Sequence, residues 1–274
     1  MWQDVLRAVL YGMLEGVTEW LPVSSTGHLI LLERVLSLSV STEFFALFEV
    51  VIQLGAMLAV PVIFWRRLWP FGKGGALRCE VLVLWGWIAT ATLPSVVAGL
   101  LLDEFLTAYL FRPVVVAAML IAYGVAFLFL EKGRKRDPFR GNFVQITPKI
   151  ALLVGCFQTL ALIPGTSRSG ATILGGMLLG LSRPVAAEFS FFLGLPTMLG
   201  AGVLKCARFF GAGLIPSERE VLLLLVATSV AFLTSLGAIR FLMDFVRRHS
   251  FAPFGVYRIL LGGVVLIAML FGFI

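Results

Sequence analysis

The 274-residue chain is 59% hydrophobic and only 14% charged, with a mean hydropathy of +1.00. A soluble domain averages about 45–50% apolar and about 25% charged residues, so the composition reads as an integral membrane protein with no room for a soluble domain of useful size. The net charge of +7 does not indicate nucleic acid, because the basic residues gather between apolar runs, as in cytoplasmic loops that face anionic lipid.

The first apolar segment, 3–19, carries Asp4 and Arg7 and lacks a small-residue cleavage site, so it is expected to be retained and not to be a signal peptide. It runs into a polar stretch, Glu15-Gly-Val-Thr-Glu19-Trp-Leu-Pro22-Val-Ser24-Ser25-Thr26-Gly27-His28, followed by a short apolar piece, 28–38. Runs long enough to cross a bilayer follow at 44–65, 81–102 and 111–130. A second broken pair, 148–163 and 170–181, brackets Pro164-Gly-Thr166-Ser167-Arg168-Ser169-Gly170, and three more spans follow at 184–209, 217–243 and 252–273. Apolar pieces of about 10–14 residues are too short to cross and are candidate re-entrant segments. Two broken segments in corresponding places of two halves point to a site between them.

The second half echoes the first. Aligning Gly27 with Gly170 places Glu15 opposite Gln158, Ser24 opposite Ser167 and Ser25 opposite Arg168. Three crossings per half is an odd number, so the second half enters with inverted topology. Loop charge agrees: 65–80 holds Arg66, Arg67, Lys73 and Arg78 against Glu80. The 131–149 connection holds Lys132, Arg134, Lys135, Arg136, Arg140 and Lys149 against Glu131 and Asp137, and Arg247 and Arg248 lie near the third such point. By contrast 103–112 offers Asp103 and Glu104 with Arg112, and 210–220 offers Glu218 and Glu220 with Arg219. The positive-inside rule makes the basic side cytoplasmic, with both termini and the mouth of the first hairpin outside. The expected fold is an all-α integral membrane protein with six transmembrane helices and two re-entrant helical hairpins, arranged as an inverted-topology repeat. Its parts are a first repeat over 1–131, a basic cytoplasmic linker over 132–147 and a second repeat over 148–274.

Charge inside a membrane is expensive and marks function by default. Glu15 and Glu19 share a helix face, where two close carboxylates either share a divalent cation or keep a proton between them. His28 follows a run of hydroxyls in the same stretch and suits nucleophilic attack or proton transfer. Arg168 presents a planar fork suited to phosphate, with Thr166, Ser167 and Ser169 adding hydroxyls and Gly170 letting backbone approach a ligand. Helices that begin near Gly27 and Gly170 would aim amide groups at the same anion. Glu49, Gln53 and Glu188 lie in apolar runs and read either as support for the site or as polar contacts between helices. His249, beside Arg247 and Arg248, reads as a loop residue, and Cys79, Cys156 and Cys206, with no CxxC pair, read as packing residues.

The motifs Glu-Gly-x-Thr-Glu-x-Leu-Pro-Val-Ser-Ser-Thr-Gly-His and Pro-Gly-x-Ser-Arg-Ser-Gly-Ala-Thr, with Phe-Glu-Val-Val-Ile-Gln-Leu-Gly between them, resemble the bacterial undecaprenyl-diphosphate phosphatases of the bacitracin-resistance type. The resemblance extends over nearly the whole chain, including Glu-Phe-Ser-Phe at 188–191. It implies hydrolysis of undecaprenyl diphosphate to the monophosphate, recycling of the lipid carrier for peptidoglycan, and bacitracin resistance. Carried over by position, Glu15 and Glu19 match the acidic motif, Ser25 and His28 the nucleophile or proton-transfer candidates, and Arg168 the phosphate-binding arginine. Ser24, Thr26, Ser167, Ser169 and Thr172 match accessory hydroxyls. The resemblance also implies a divalent cation (Mg2+ or Ca2+), a polyprenyl diphosphate lipid as substrate, contact with membrane lipids, homodimers, and a bacterial plasma-membrane location with the site open to the outside. Ser25, His28 and water are all competent attackers by sequence. The competing expectation is a secondary transporter or lipid flippase, because broken helices and inverted repeats also serve transport.

Overall fold

The computed structural model describes residues 2–132, 143 and 146–273. The expected linker 132–147, with Arg134, Lys135, Arg136 and Arg140, lies mostly outside them, as do the side chains of Lys73, Asp103 and Glu104. The described chain is all-helical apart from one isolated bridge between Phe71 and Leu77. In chain order the helices are α1 (Trp2–Thr18), α2 (Ser25–Val35), α3 (Thr42–Met57), α4 (Ala59–Ile63), α5 (Trp65–Leu68), α6 (Cys79–Tyr109) and α7 (Pro113–Glu131), then α8 (Pro148–Thr159), α9 (Arg168–Leu178), α10 (Arg183–Gly211), α11 (Glu218–Arg248) and α12 (Ala252–Leu270).

Among the described residues, six helical segments are long and apolar enough to cross a membrane: Thr42–Ile63, Cys79–Leu102, Pro113–Glu131, Arg183–Gly211, Glu218–Arg248 and Ala252–Leu270. They coincide with the expected spans to within a few residues at most ends. Two local differences have simple causes. The first span breaks between α3 and α4 at Leu58, because Pro61 cannot donate to the Met57 carbonyl and its ring crowds that turn. Helix α6 runs on to Tyr109, past the end expected at 102, since nothing after Gly99 breaks a helix until Arg112 precedes Pro113. Outside these segments, α1, α2, α8 and α9 have 17, 11, 12 and 11 residues, and α5 has 4.

Helix α1 packs along α11 and α8 along α6, while α7 lies against α12 and α3 against α10 and α11. Glycines set the closest approaches. A Cβ at Gly12 would stand 2.3 Å from the Ala227 carbonyl oxygen, and one at Gly155 would stand 2.3 Å from that of Ala91. Gly124 and Gly255 oppose each other: a Cβ on either would stand 2.7 or 2.8 Å from the other's carbonyl oxygen. Small residues at such crossings let backbones meet where lipid gives no hydrophobic drive to association.

Polar ties gather the helix ends into two sets. Arg219 pairs with Asp4, and Arg7 donates to the Ser37 carbonyl at 2.7 Å, joining the starts of α1 and α11 to the end of α2. Arg183 pairs with Glu131, which also accepts from the Phe251 amide at 2.9 Å, joining the end of α7 to the starts of α10 and α12. Between these sets the α1–α2 and α8–α9 turns meet in the interior.

Candidate active site

Two serines shape the turns. Ser24 and Ser167 are the only non-glycine residues with positive φ among the described residues, at 74° and 69°. Each caps the helix that follows: the Gly27 amide donates to Ser24 Oγ at 3.4 Å, and the Gly170 amide to Ser167 Oγ at 3.2 Å. A strained backbone of this kind costs on the order of 1–3 kcal/mol and persists where surroundings over-determine it. The result is two helix N-termini, α2 and α9, at adjoining turns, each favourable to negative charge.

Glu19 and Arg168 join the turns. Arg168 Nε and Nη2 donate to Glu19 Oε1 at 3.4 and 3.3 Å, and Nη1 donates to the Ser190 carbonyl at 2.6 Å. Glu19 Oε2 accepts from Ser25 Oγ at 3.2 Å and from Gln53 Nε2 at 3.3 Å. Ser169 Oγ lies 3.0 and 3.2 Å from the Glu19 and Leu21 carbonyls and 3.1 Å from Ser167 Oγ. Thr172 Oγ1 donates to the Arg168 carbonyl at 2.8 Å and lies 2.6 Å from Ser190 Oγ. The guanidinium stands over the buried Trp20 ring at 5.5 Å, a cation–π contact. It also passes over Gly194, where a Cβ would lie 2.6 Å from Nη1.

His28 lies one turn into α2. Its Nδ1 is 2.7 Å from the Ser24 carbonyl and its Nε2 is 2.7 Å from the Tyr257 hydroxyl. Next to Tyr257, Arg258 is fully buried and donates to the carbonyls of Pro22 at 3.1 Å and of Gly165 and Thr166 at 2.8 Å each. One side chain of α12 thus fastens both turns. The buried carbonyls it satisfies would each cost about 1–3 kcal/mol if left unpaired.

Glu15 lies one helical turn from Glu19, is 1% exposed, and leaves Oε1 without a hydrogen-bond partner. No group of three or more His, Cys, Asp or Glu residues converges among the described residues. Glu15 and Glu19, one helical turn apart, are the carboxylates that would hold a divalent cation there, with water and phosphate oxygens completing its shell.

The structure gathers Glu19, Ser25, Gln53, Arg168 and Ser169 in one hydrogen-bonded group. Ser24, Ser167, Gly170 and Thr172 support its frame, Glu15 lies beside it, and Thr26 is half-buried in the first turn of α2. Glu188 is instead an interhelical tie, accepting from Arg67 Nη1 at 2.5 Å, and no hydrogen bond joins Glu49 to Glu19 or Arg168 among the described residues. Sequence reasoning passed over Trp20, Ser190, Gly194, Tyr257 and Arg258. Arg258 did carry a signal, since a lone arginine inside a closing apolar span invites the same argument as Arg168.

The family described as "Bacitracin resistance protein BacA" matches residues 8–264. The chain belongs to this family. It is 49% identical over 266 residues to a Streptococcus thermophilus protein named undecaprenyl-diphosphatase, covering 96% of this chain and 92% of that one. Proteins of the same name from Enterococcus faecalis, at 45% over 269 residues, and Streptococcus pyogenes, at 46% over 274, each cover 97% or more of this chain and 98% of their own length.

Proposed function

We propose that this chain hydrolyses undecaprenyl diphosphate to undecaprenyl phosphate and inorganic phosphate in the bacterial plasma membrane. The reaction recycles the lipid carrier for peptidoglycan synthesis and confers resistance to bacitracin by consuming the diphosphate lipid. The observation that carries this reading is the junction at Glu19, where one carboxylate meets Arg168 on Oε1 and Ser25 on Oε2. A cation for phosphate, a hydroxyl and a base for that hydroxyl meet at one point.

Ser25 attacks the terminal phosphorus. The Ser25 Oγ–P bond forms as the bridging P–O bond breaks, undecaprenyl phosphate leaves, and Glu19 takes the hydroxyl proton. Water then attacks the phosphoserine phosphorus and passes its proton to His28 Nε2, while the Ser25 Oγ–P bond breaks, inorganic phosphate leaves and Ser25 Oγ takes back the proton held by Glu19. Ser25 is favoured over His28 because Ser25 already donates to Glu19, whereas both ring nitrogens of His28 are engaged elsewhere. Arg168 and the amides opening α2 and α9 offset charge on the transferred phosphoryl. A divalent cation held by Glu15 and Glu19, Mg2+ or Ca2+, supplies Lewis-acid neutralisation of the diphosphate oxygens when bound.

In this reading the α1–α2 and α8–α9 pairs are re-entrant hairpins of an inverted repeat. Support comes from the matched serine caps and from the exchanged pairings, α1 on α11 and α8 on α6. The basic connections face the cytoplasm, which opens the first hairpin and the site to the outside. Homodimers, implied by the resemblance, are checked by mass in detergent.

The test is phosphate release from undecaprenyl diphosphate in detergent, where no compartments exist and a transporter releases nothing. Glu19→Gln, Ser25→Ala and Arg168→Ala are each expected to lower kcat by about 10²–10⁴-fold with the protein still folded. Undiminished release by all three defeats the assignment.

A further inference from the structure

The ring of His28 is held from both sides. Nδ1 is 2.7 Å from the Ser24 carbonyl oxygen, which can only accept, so Nδ1 carries the hydrogen. The carbonyl is itself fixed, because Ser24 sits at positive φ with its side chain capping the Gly27 amide. In the neutral ring Nε2 is then a lone pair, and the group facing it at 2.7 Å is the Tyr257 hydroxyl, the partner able to donate. The two rings stack with centroids 5.6 Å apart and planes 12° apart. Tyr257 reaches this position from α12, and the next residue, Arg258, is locked to the carbonyls of both turns. The hydroxyl is therefore carried next to a residue tied to both turns, although its own side is open, at 44% exposure.

We infer that Tyr257 is a positioning residue for His28, donating to Nε2 of the Nδ1–H tautomer that the Ser24 carbonyl selects and so fixing Nε2 as the ring's proton-accepting atom. The inference rests on the reading of this site as a phosphatase centre. A phenol hydroxyl suits the task because it can donate to Nε2 and, when the ring carries a second proton, turn and accept from it. Phenylalanine would keep the stacking and lose both abilities. The arrangement also explains why His28 and Ser25, three residues apart on α2, are not hydrogen-bonded: the tyrosine draws Nε2 toward α12 while Ser25 turns to Glu19.

The chain has only two histidines, His28 and His249, so 15N-histidine labelling of a His249→Gln background isolates one ring. At a pH where that ring is neutral, its spectrum is expected to show a protonated Nδ1 and an unprotonated, hydrogen-bonded Nε2. Tyr257→Phe is expected to shift the Nε2 resonance toward that of a free lone pair, with Nδ1 still protonated against the Ser24 carbonyl. In phosphate release it is expected to lower kcat by about tenfold, part of the 10²–10⁴-fold that a positioned proton-transfer group contributes, with KM little changed. In a His28→Ala background Tyr257→Phe is expected to add nothing. An Nε2–H tautomer in the unsubstituted tyrosine protein overturns the inference, whether or not the Phe variant folds. An unmoved Nε2 resonance in folded Tyr257→Phe overturns it, and so does a loss additive with His28→Ala. Phosphate release by the unsubstituted chain is a separate measurement, so failure of the phosphatase reading is distinguishable from failure of the tyrosine's role.

Discussion

Gly194→Ala tests the role proposed for Arg168 without altering the arginine itself. A methyl group there would lie 2.6 Å from Arg168 Nη1, 2.7 Å from Cζ and 2.9 Å from Nη2. Ordinary contact needs about 3.5 Å, so the guanidinium must move by roughly 0.9 Å. It cannot move freely, because Nη1 is bonded to the Ser190 carbonyl, Nε and Nη2 face Glu19, and the Trp20 ring lies on one face. A misplacement of about 1 Å costs about 10²-fold in rate, or about 2.7 kcal/mol at 1.36 kcal/mol per tenfold. The substitution also replaces glycine by alanine inside α10, which favours the helix by roughly 0.5–1 kcal/mol. The expected outcome is a folded protein with a loss of about 10²-fold in kcat/KM for phosphate release in detergent, the helix gain offsetting part of the roughly 1–3 kcal/mol that crowding the guanidinium costs. Gly200→Ala, in the same helix with nothing within 4 Å of the new methyl, should bring the helix gain with full activity. A folded Gly194→Ala protein of undiminished activity would refute the assignment of Arg168.

Arg168→Lys is expected to lose about 10²-fold or more in kcat/KM, because a point charge cannot replace a fork bonded to both Glu19 and the Ser190 carbonyl; recovery of activity by lysine would show that charge alone suffices. Arg258→Met should lower Tm sharply in thermal unfolding, since it strands buried carbonyls at Pro22, Gly165 and Thr166 at about 1–3 kcal/mol each. A Met variant as stable as the parent would show that the turns hold themselves together. Gly12→Ala and Gly155→Ala each push a methyl to 2.3 Å from a backbone oxygen, of Ala227 and Ala91. Both should destabilise by about 1–3 kcal/mol, while Gly86→Ala, in open space, should not; unequal losses at the two glycines would argue against equivalent packing in the two halves.

The spans and the broken segments were legible because lipid gives each residue a simple role. An apolar run of sufficient length crosses, and a charge inside one needs a reason. That rule exposed Glu15, Glu19, His28 and Arg168 without any knowledge of contacts. It was silent on Tyr257, because a tyrosine in an apolar helix is ordinary at a membrane interface, and its contact with His28 joins residues 229 positions apart. It left Glu188 undecided for the same reason, since its partner Arg67 is 121 positions away. Gly194 is silent in sequence too, because its meaning lies in an arginine folding across it. The alignment of Gly27 with Gly170 did carry structural information: a serine three residues before each glycine caps the following helix in both halves. The same alignment sets Ser25 against Arg168, and there the halves differ. Two acidic turns brought together would repel, as would two basic ones, so a junction that binds an anion and activates a hydroxyl requires duplicated backbones with opposite side-chain chemistry. In the repeat proposed above, the letters therefore diverge at the positions given a role in the chemistry and agree at the serine caps and glycine crossings that frame them.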